Sequence, residues 1–236
     1  MSEQPHVVIV GAGFAGLACA KALGNAPARV TVIDRANYHL FVPLLYQVAT
    51  AALSPADIAR PIRRILGRHR NIDIVLGEVT GIDTQAREVR TQAGQIFTYD
   101  RLVVATGSRY SYFGHSEWAA NAKGPRSLED ARFIRTKLLT AFERADATED
   151  AAERNRLMTM IVVGGGPTGV EMAGAVAELA RHSLARDFRR IDPRQARILL
   201  VEASPRLLAS FPQSLADYAE RELRKLGVEV LLGQPV

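Results

Sequence analysis

The sequence contains a single cysteine, Cys19, in 236 residues. One thiol excludes an internal disulfide and a cysteine-rich metal centre. The five histidines, His6, His39, His69, His115 and His182, are scattered without metal-ligand spacing. No metal is therefore expected, and all five read as structural or solvent-facing. No run approaches the ~20 apolar residues that a membrane-spanning helix requires. Membrane contact is then expected to be peripheral, or to lie outside this sequence. The opening MSEQPHVVIV lacks a basic segment followed by an apolar one, and lacks an arginine-rich presequence, which points to a cytoplasmic start in a bacterium.

What is present suits a globular domain: 47% apolar and 23% charged residues, enough to bury a core and too apolar for disorder. The formal net charge is +5, carried mostly by arginine, and favours anionic ligands. The basic run Arg60–Arg70 lacks interleaved aromatics and any nucleic-acid motif, so it reads as a solvated helix face and nucleic acid is not expected.

A coarse repeat organises the chain. A β-branched strand, a glycine-rich turn and an alanine-rich helix occur at residues 6–24 and again at 159–181. The runs VVIV and MIVV suit parallel strands buried on both faces. Between them the pattern gives a strand at 29–33, a helix at 54–66, a strand at 72–76, a small antiparallel meander over 79–99 and a strand at 102–105. A changeover rich in Gly, Ser and aromatics spans 108–125. An amphipathic helix at 128–143 and a polar loop at 146–155 lead into the second unit, which continues with a strand at 198–201, a helix at 215–226 and a strand at 228–232. The expected fold is α/β, with two Rossmann-like doubly wound domains, the second inserted in the first and cut short. The expected domains are residues 1–110 and 111–236.

The first turn reads Gly11-Ala12-Gly13-Phe14-Ala15-Gly16. Gly11 permits the tight turn, Gly13 lets a pyrophosphate approach the backbone, and Gly16 lets helix and strand pack closely. The helix start adds unpaired N–H groups and partial positive charge. Asp34, eighteen residues past Gly16, ends the next strand, where a carboxylate accepts hydrogen bonds from a ribose. Arg35 follows it.

The second turn reads Gly164-Gly165-Gly166-Pro167-Thr168-Gly169, with Pro167 tolerated at a helix start. Glu202 ends the following strand, 33 residues past Gly169, because an arginine-rich stretch, 181–197, intervenes. A carboxylate there binds a free 2′-hydroxyl and repels a 2′-phosphate, which favours NADH over NADPH. Glu171 reads as lying in the first turn of the second helix, as either a dipole-favoured acid or a group beside a nicotinamide. Two dinucleotide sites in one chain suit a hydride donor facing a flavin.

The segments HVVIVGAGFAGL, NYHLFVPLLYQVATAALSPADIARPIR, TYDRLVVATG, SYFGHSEW and IVVGGGPTGVEMAGAVAELA resemble type II NADH dehydrogenases, single-subunit NADH:quinone oxidoreductases. The resemblance implies FAD at Gly11, Gly13, Phe14, Ala15, Gly16, Asp34 and Arg35. It adds Val79 near the adenine and Ala105, Thr106 and Gly107 near the phosphates. It implies NADH at Gly164, Gly166, Pro167, Thr168, Gly169 and Glu202, with Glu171 the catalytic candidate beside flavin and nicotinamide. The stretch Phe41–Tyr46 runs beside the flavin in that family, although Phe41, Leu44 and Leu45 alone read as core. Quinone is the implied acceptor. The implied location is the cytoplasmic face of a bacterial plasma membrane, held peripherally through C-terminal helices that this sequence does not contain; without them, the cytoplasm is expected. A homodimer stays open. The alternatives are a ferredoxin- or rubredoxin-type NADH reductase and a catalytically inactive nucleotide-binding fragment. Thiol-dependent relatives are disfavoured, since Cys19 has no partner cysteine.

Overall fold

A computed structural model of the protein describes residues 4–108, 111–112 and 114–236; residues 109, 110 and 113 of the 108–125 changeover lie outside the described set. In chain order the elements begin with β1 (His6–Val10), α1 (Phe14–Ala22), β2 (Arg29–Asp34), β3 (Tyr38–Leu40), α2 (Leu45–Ala49), α3 (Pro55–Ile58), β4 (Ala59–Pro61) and α4 (Ile62–Leu66). They continue with β5 (Ile72–Leu76), β6 (Val79–Asp83), β7 (Glu88–Thr91), β8 (Ile96–Thr98) and β9 (Arg101–Val104). The remainder is α5 (Leu128–Ala147), α6 (Ala151–Leu157), β10 (Thr159–Val163), α7 (Pro167–Glu178), β11 (Arg197–Glu202), α8 (Gln213–Lys225) and β12 (Val228–Leu232). Two compact units result. One holds residues 1–41 and 56–116, the other residues 42–55 and 117–236.

In the first unit a parallel sheet runs β5-β2-β1-β9, the 3-2-1 strand order of a dinucleotide-binding half. Every residue of β1 is buried, as its β-branched run predicts. Below the sheet, Leu17 and Ala20 of α1 and Ile62 and Leu66 of α4 pack on Ile9, Val30 and Val32. On the other face Val8, Val10 and Ile33 pack with Val89 of the antiparallel meander β6-β7-β8. Cys19 is partly buried against the first cluster, the place of a small hydrophobe.

The helix expected over 54–66 is broken. Pro61 lacks an N–H and biases Arg60 toward extended backbone. The chain therefore forms two short helices around β4, which pairs antiparallel with the unforeseen strand β3.

The second unit holds the parallel sheet β10-β11-β12. Strand β10 departs from the doubly buried expectation. It is an edge strand, and Ile161 and Val163 remain 61% and 56% exposed. Helix α5 runs to Ala147, one turn beyond the pattern, behind a capping box of Ser127 and Asp130. The polar stretch read as a loop over 146–155 folds instead into α6. Asp150 caps it by accepting from the N–H groups of Ala152 and Glu153, and Glu153 pairs with Arg144 and Arg156. Local capping and ion pairs form a helix there without an apolar stripe.

Candidate functional site

The two glycine turns have matching geometry, each inside its own unit. Gly11 and Gly164 sit at φ +99° and +100°, the left-handed region that glycine enters without a Cβ penalty. Each donates its N–H to the carbonyl of the neighbouring strand, Ile33 and Val201, at 2.8 Å. The third glycines are required by packing. A Cβ on Gly16 would strike the Gly11 carbonyl, and one on Gly169 the Gly164 carbonyl. The middle glycines behave differently. Gly13 and Gly166 have φ of −68° and −73°, open to any residue, and a Cβ on either would meet no atom within 4 Å. Neither the backbone nor the neighbouring protein demands glycine there. The clearance is what a phosphate approaching the helix start needs, so the residues present fit a dinucleotide at both turns.

The two strand-end acids also match. Asp34 accepts from the N–H of Ala12 at 2.5 Å and from that of Ala36 at 2.8 Å. Glu202 accepts from Gly165 N–H at 2.5 Å and Ser204 N–H at 2.6 Å. Burial alone would raise the Glu202 carboxyl, but hydrogen bonds from Ser204 and the Gly165 N–H outweigh it and hold the group below its ordinary value. Glu202 is therefore anionic at neutral pH. Its stabilising contribution is present above the ordinary carboxylate range and is lost as pH falls through the depressed value.

The other sequence-predicted residues fall around these corners. Phe14 opens α1 and stays exposed, with Ala15 beside it on the first turn of the helix. Ala105 lies against Gly11, and its N–H donates to Val10 O at 2.8 Å, which brings Thr106 to the same turn. Gly107 follows at φ +73°. The Gly77 N–H donates to Asp34 O at 2.8 Å, and Val79, the first residue of β6, packs on the cluster of Val8, Val10, Ile33 and Val89. Arg35 is exposed. Pro167 is the first residue of α7, with Thr168 next.

Glu171 is the fifth residue of α7, one residue deeper than expected and just past the first turn, because the helix begins at Pro167 rather than Thr168. That distance weakens the dipole reading, which fades within the first turn. Glu171, Gly174, Ala175 and Glu178 share one face of α7 and border a groove of about 530 Å³, closed opposite by Tyr46, Gln47 and Thr50 around α2. Desolvation raises the Glu171 carboxyl above its ordinary value, so it keeps a proton to higher pH than a free glutamate. Of the apolar residues read as core near α2, Leu45 is buried, whereas Phe41 is 42% exposed and packs edge-on to Phe14 at 5.6 Å.

One residue was missed. His39, read as merely structural or exposed, places Nδ1 3.0 Å from the Ala12 carbonyl and its ring 5.1 Å from that of Phe14. No local pattern marks it, since its partner lies 27 residues away.

The family model described as pyridine nucleotide-disulphide oxidoreductase matches residues 5–236. The chain is 46% identical over 234 residues to the type II NADH:quinone oxidoreductase NdhA of Mycobacterium tuberculosis, covering 98% of this chain and 50% of that one. It is 46% identical to the same organism's type II NADH:quinone oxidoreductase Ndh, covering 99% and 51%. It thus spans about half the length of the curated relatives it matches. Among solved structures, NDH2 of Plasmodium falciparum in complex with NADH superposes with a TM-score of 0.88 at 24% identity, over 98% of this chain and 48% of that one. The chain belongs to the pyridine nucleotide-disulphide oxidoreductase family.

Proposed function

We propose that this chain supplies the FAD-binding and NADH-binding corners of an NADH:quinone oxidoreductase. The observation that carries the reading is the doubled corner. Two turns each leave a middle glycine facing open space, and each has a strand-end carboxylate on its loop. FAD belongs at Gly11, Gly13, Gly16 and Asp34, and NADH at Gly164, Gly166, Gly169 and Glu202. The resemblance to the mycobacterial enzymes supports quinone as the acceptor.

A flavin held at the first corner would supply acceptance of a hydride from NADH and onward transfer of electrons. The chain's own residues bind and orient. The α1 and α7 starts hold the phosphates, the two acids hold the riboses, and the ionised Glu202 disfavours a 2′-phosphate. Glu171, whose carboxyl is raised above its ordinary value by desolvation, is suited to hold or release a proton at its carboxyl oxygen beside the reacting rings. Contact with a membrane is peripheral in this reading. Among the described residues no helix is long and apolar enough to cross a membrane.

The decisive measurement is a visible spectrum of the purified chain reconstituted with FAD, before and after NADH under anaerobic conditions. Flavin absorbance that bleaches with NADH is expected. A colourless protein, or a bound flavin indifferent to NADH, would reject the proposal. Turnover with a soluble quinone should exceed that with a small iron–sulfur protein, and the reverse preference would replace quinone as the acceptor.

Glu171→Gln is expected to retain flavin and slow NADH-dependent turnover roughly 100- to 10,000-fold, the range of a general acid–base contribution. It should also remove the pH limb that reports the raised carboxyl. Kinetics matching those of the parent protein at every pH would strip Glu171 of this role.

A further inference from the structure

The first glycine loop is held from both sides at one residue. Ala12 gives its N–H to Asp34 at 2.5 Å, and its carbonyl faces His39 Nδ1 at 3.0 Å. A carbonyl can only accept, so Nδ1 carries the proton and the ring is fixed in that tautomer. The edge contact with Phe14, first residue of α1, holds the ring against the helix start. The second loop makes the same double contact by other means. Gly165 gives its N–H to Glu202, while its carbonyl accepts from the backbone N–H of Leu208 at 2.8 Å. Leu208 adopts φ +48° to do so. In the first corner, then, a side chain performs what backbone performs in the second.

His39 also brings a charge with it. It is paired directly opposite Arg60 in the β3–β4 ribbon, and opposed residues of an antiparallel pair project from the same face. Arg60 is exposed and opens the basic run, in which no acidic residue stands between Asp57 and Asp73. A guanidinium presents forked donors that match phosphate oxygens.

We infer that His39 and Arg60 form a second wall of the first dinucleotide corner: His39 clamps the loop through the Ala12 carbonyl, and Arg60 meets the pyrophosphate across from the start of α1. The inference rests on the reading of that corner as the FAD site, and it assigns Arg60 a role apart from the solvated helix face.

Its test measures FAD dissociation by flavin fluorescence, together with amide hydrogen exchange of the loop 11–16 in the protein without added nucleotide. His39→Ala should raise the FAD Kd about tenfold, the loss of one hydrogen bond to a held carbonyl, and speed exchange in the loop. His39→Asn should restore both to within about threefold, because its amide N–H stands as many bonds from Cβ as Nδ1 does. Arg60→Ala should weaken FAD several-fold and flatten the salt dependence of binding, with loop exchange unchanged. Arg68→Ala, in the same basic run but off the ribbon, should bind FAD like the parent. Unaltered exchange and affinity in His39→Ala, or failure of asparagine to rescue, would overturn the clamp. Equal salt dependence in Arg60→Ala and the parent would overturn the phosphate contact. A parent protein that takes up no FAD would instead reject the coenzyme reading and the Arg60 contact with it, leaving the clamp to be judged by exchange alone.

Discussion

Gly13→Val leaves the protein folded and deprives it of flavin. The backbone at Gly13 lies at φ −68° and ψ −162°, which valine adopts readily, and its added carbons enter space where a Cβ meets no atom within 4 Å. The cost to stability is about 1 kcal/mol at most, that of an unfavourable residue at a helix N-cap. The same carbons occupy the path by which a pyrophosphate reaches the N–H groups of α1. Affinity for FAD should fall more than about 100-fold, since displacing a phosphate from a helix start removes several charge-assisted hydrogen bonds together. Thermal denaturation and flavin content measured on one preparation decide the matter. Parental flavin content in the valine variant would mean that the first corner does not hold a phosphate. Gly16→Val is the contrasting variant. Its side chain collides with the Gly11 carbonyl inside the protein, so it should lower the melting temperature whether or not flavin is present.

Glu202→Gln erodes the choice between the two nicotinamide coenzymes. The carboxylate holds the Gly165 and Ser204 N–H groups with its two oxygens. A glutamine has one oxygen for that pair, so part of the loop's support is lost and both NADH and NADPH should bind more weakly. Loss of the negative charge acts on NADPH alone, because only the 2′-phosphate is repelled. The ratio of the two coenzymes' kcat/KM therefore separates the effects. It should move toward NADPH by about 10- to 100-fold, the scale of relieving a like-charge contact. An unchanged ratio accompanied by a general loss of affinity would reduce Glu202 to a loop support.

The glycine corners were legible in the sequence because their physics is local. Tight turns, helix starts and strand-end acids are specified by residues a few positions apart, and Gly11, Gly16, Asp34 and their counterparts stand where the spacing puts them. What escaped was set by distant partners or by chemistry other than apolar periodicity. Pro61 breaks a helix whose apolar spacing otherwise continues, and β3 becomes a strand only because β4 lies alongside. Helix α6 depends on Asp150 as its cap and on ion pairs of Glu153, which a search for an apolar stripe passes over. Residues 42–55 group with the later half of the chain through contacts that sequence order does not reveal. His39 acts on the carbonyl of Ala12, the middle residue of the first β-α turn and 27 residues away, and the tie exists only after folding.

The carboxylates fastened to Ala12 and Gly165 have a consequence for the energetics of capture. A flexible glycine loop that ordered only around its ligand would spend about 1–2 kcal/mol of backbone entropy per residue during association. Here that ordering is completed when the chain folds, because an acid on the adjacent strand already fixes each loop. Association then draws less on the gross interaction energy, and the cradle meets an incoming nucleotide in its final shape. Both loops should accordingly show slow amide exchange before any nucleotide is added.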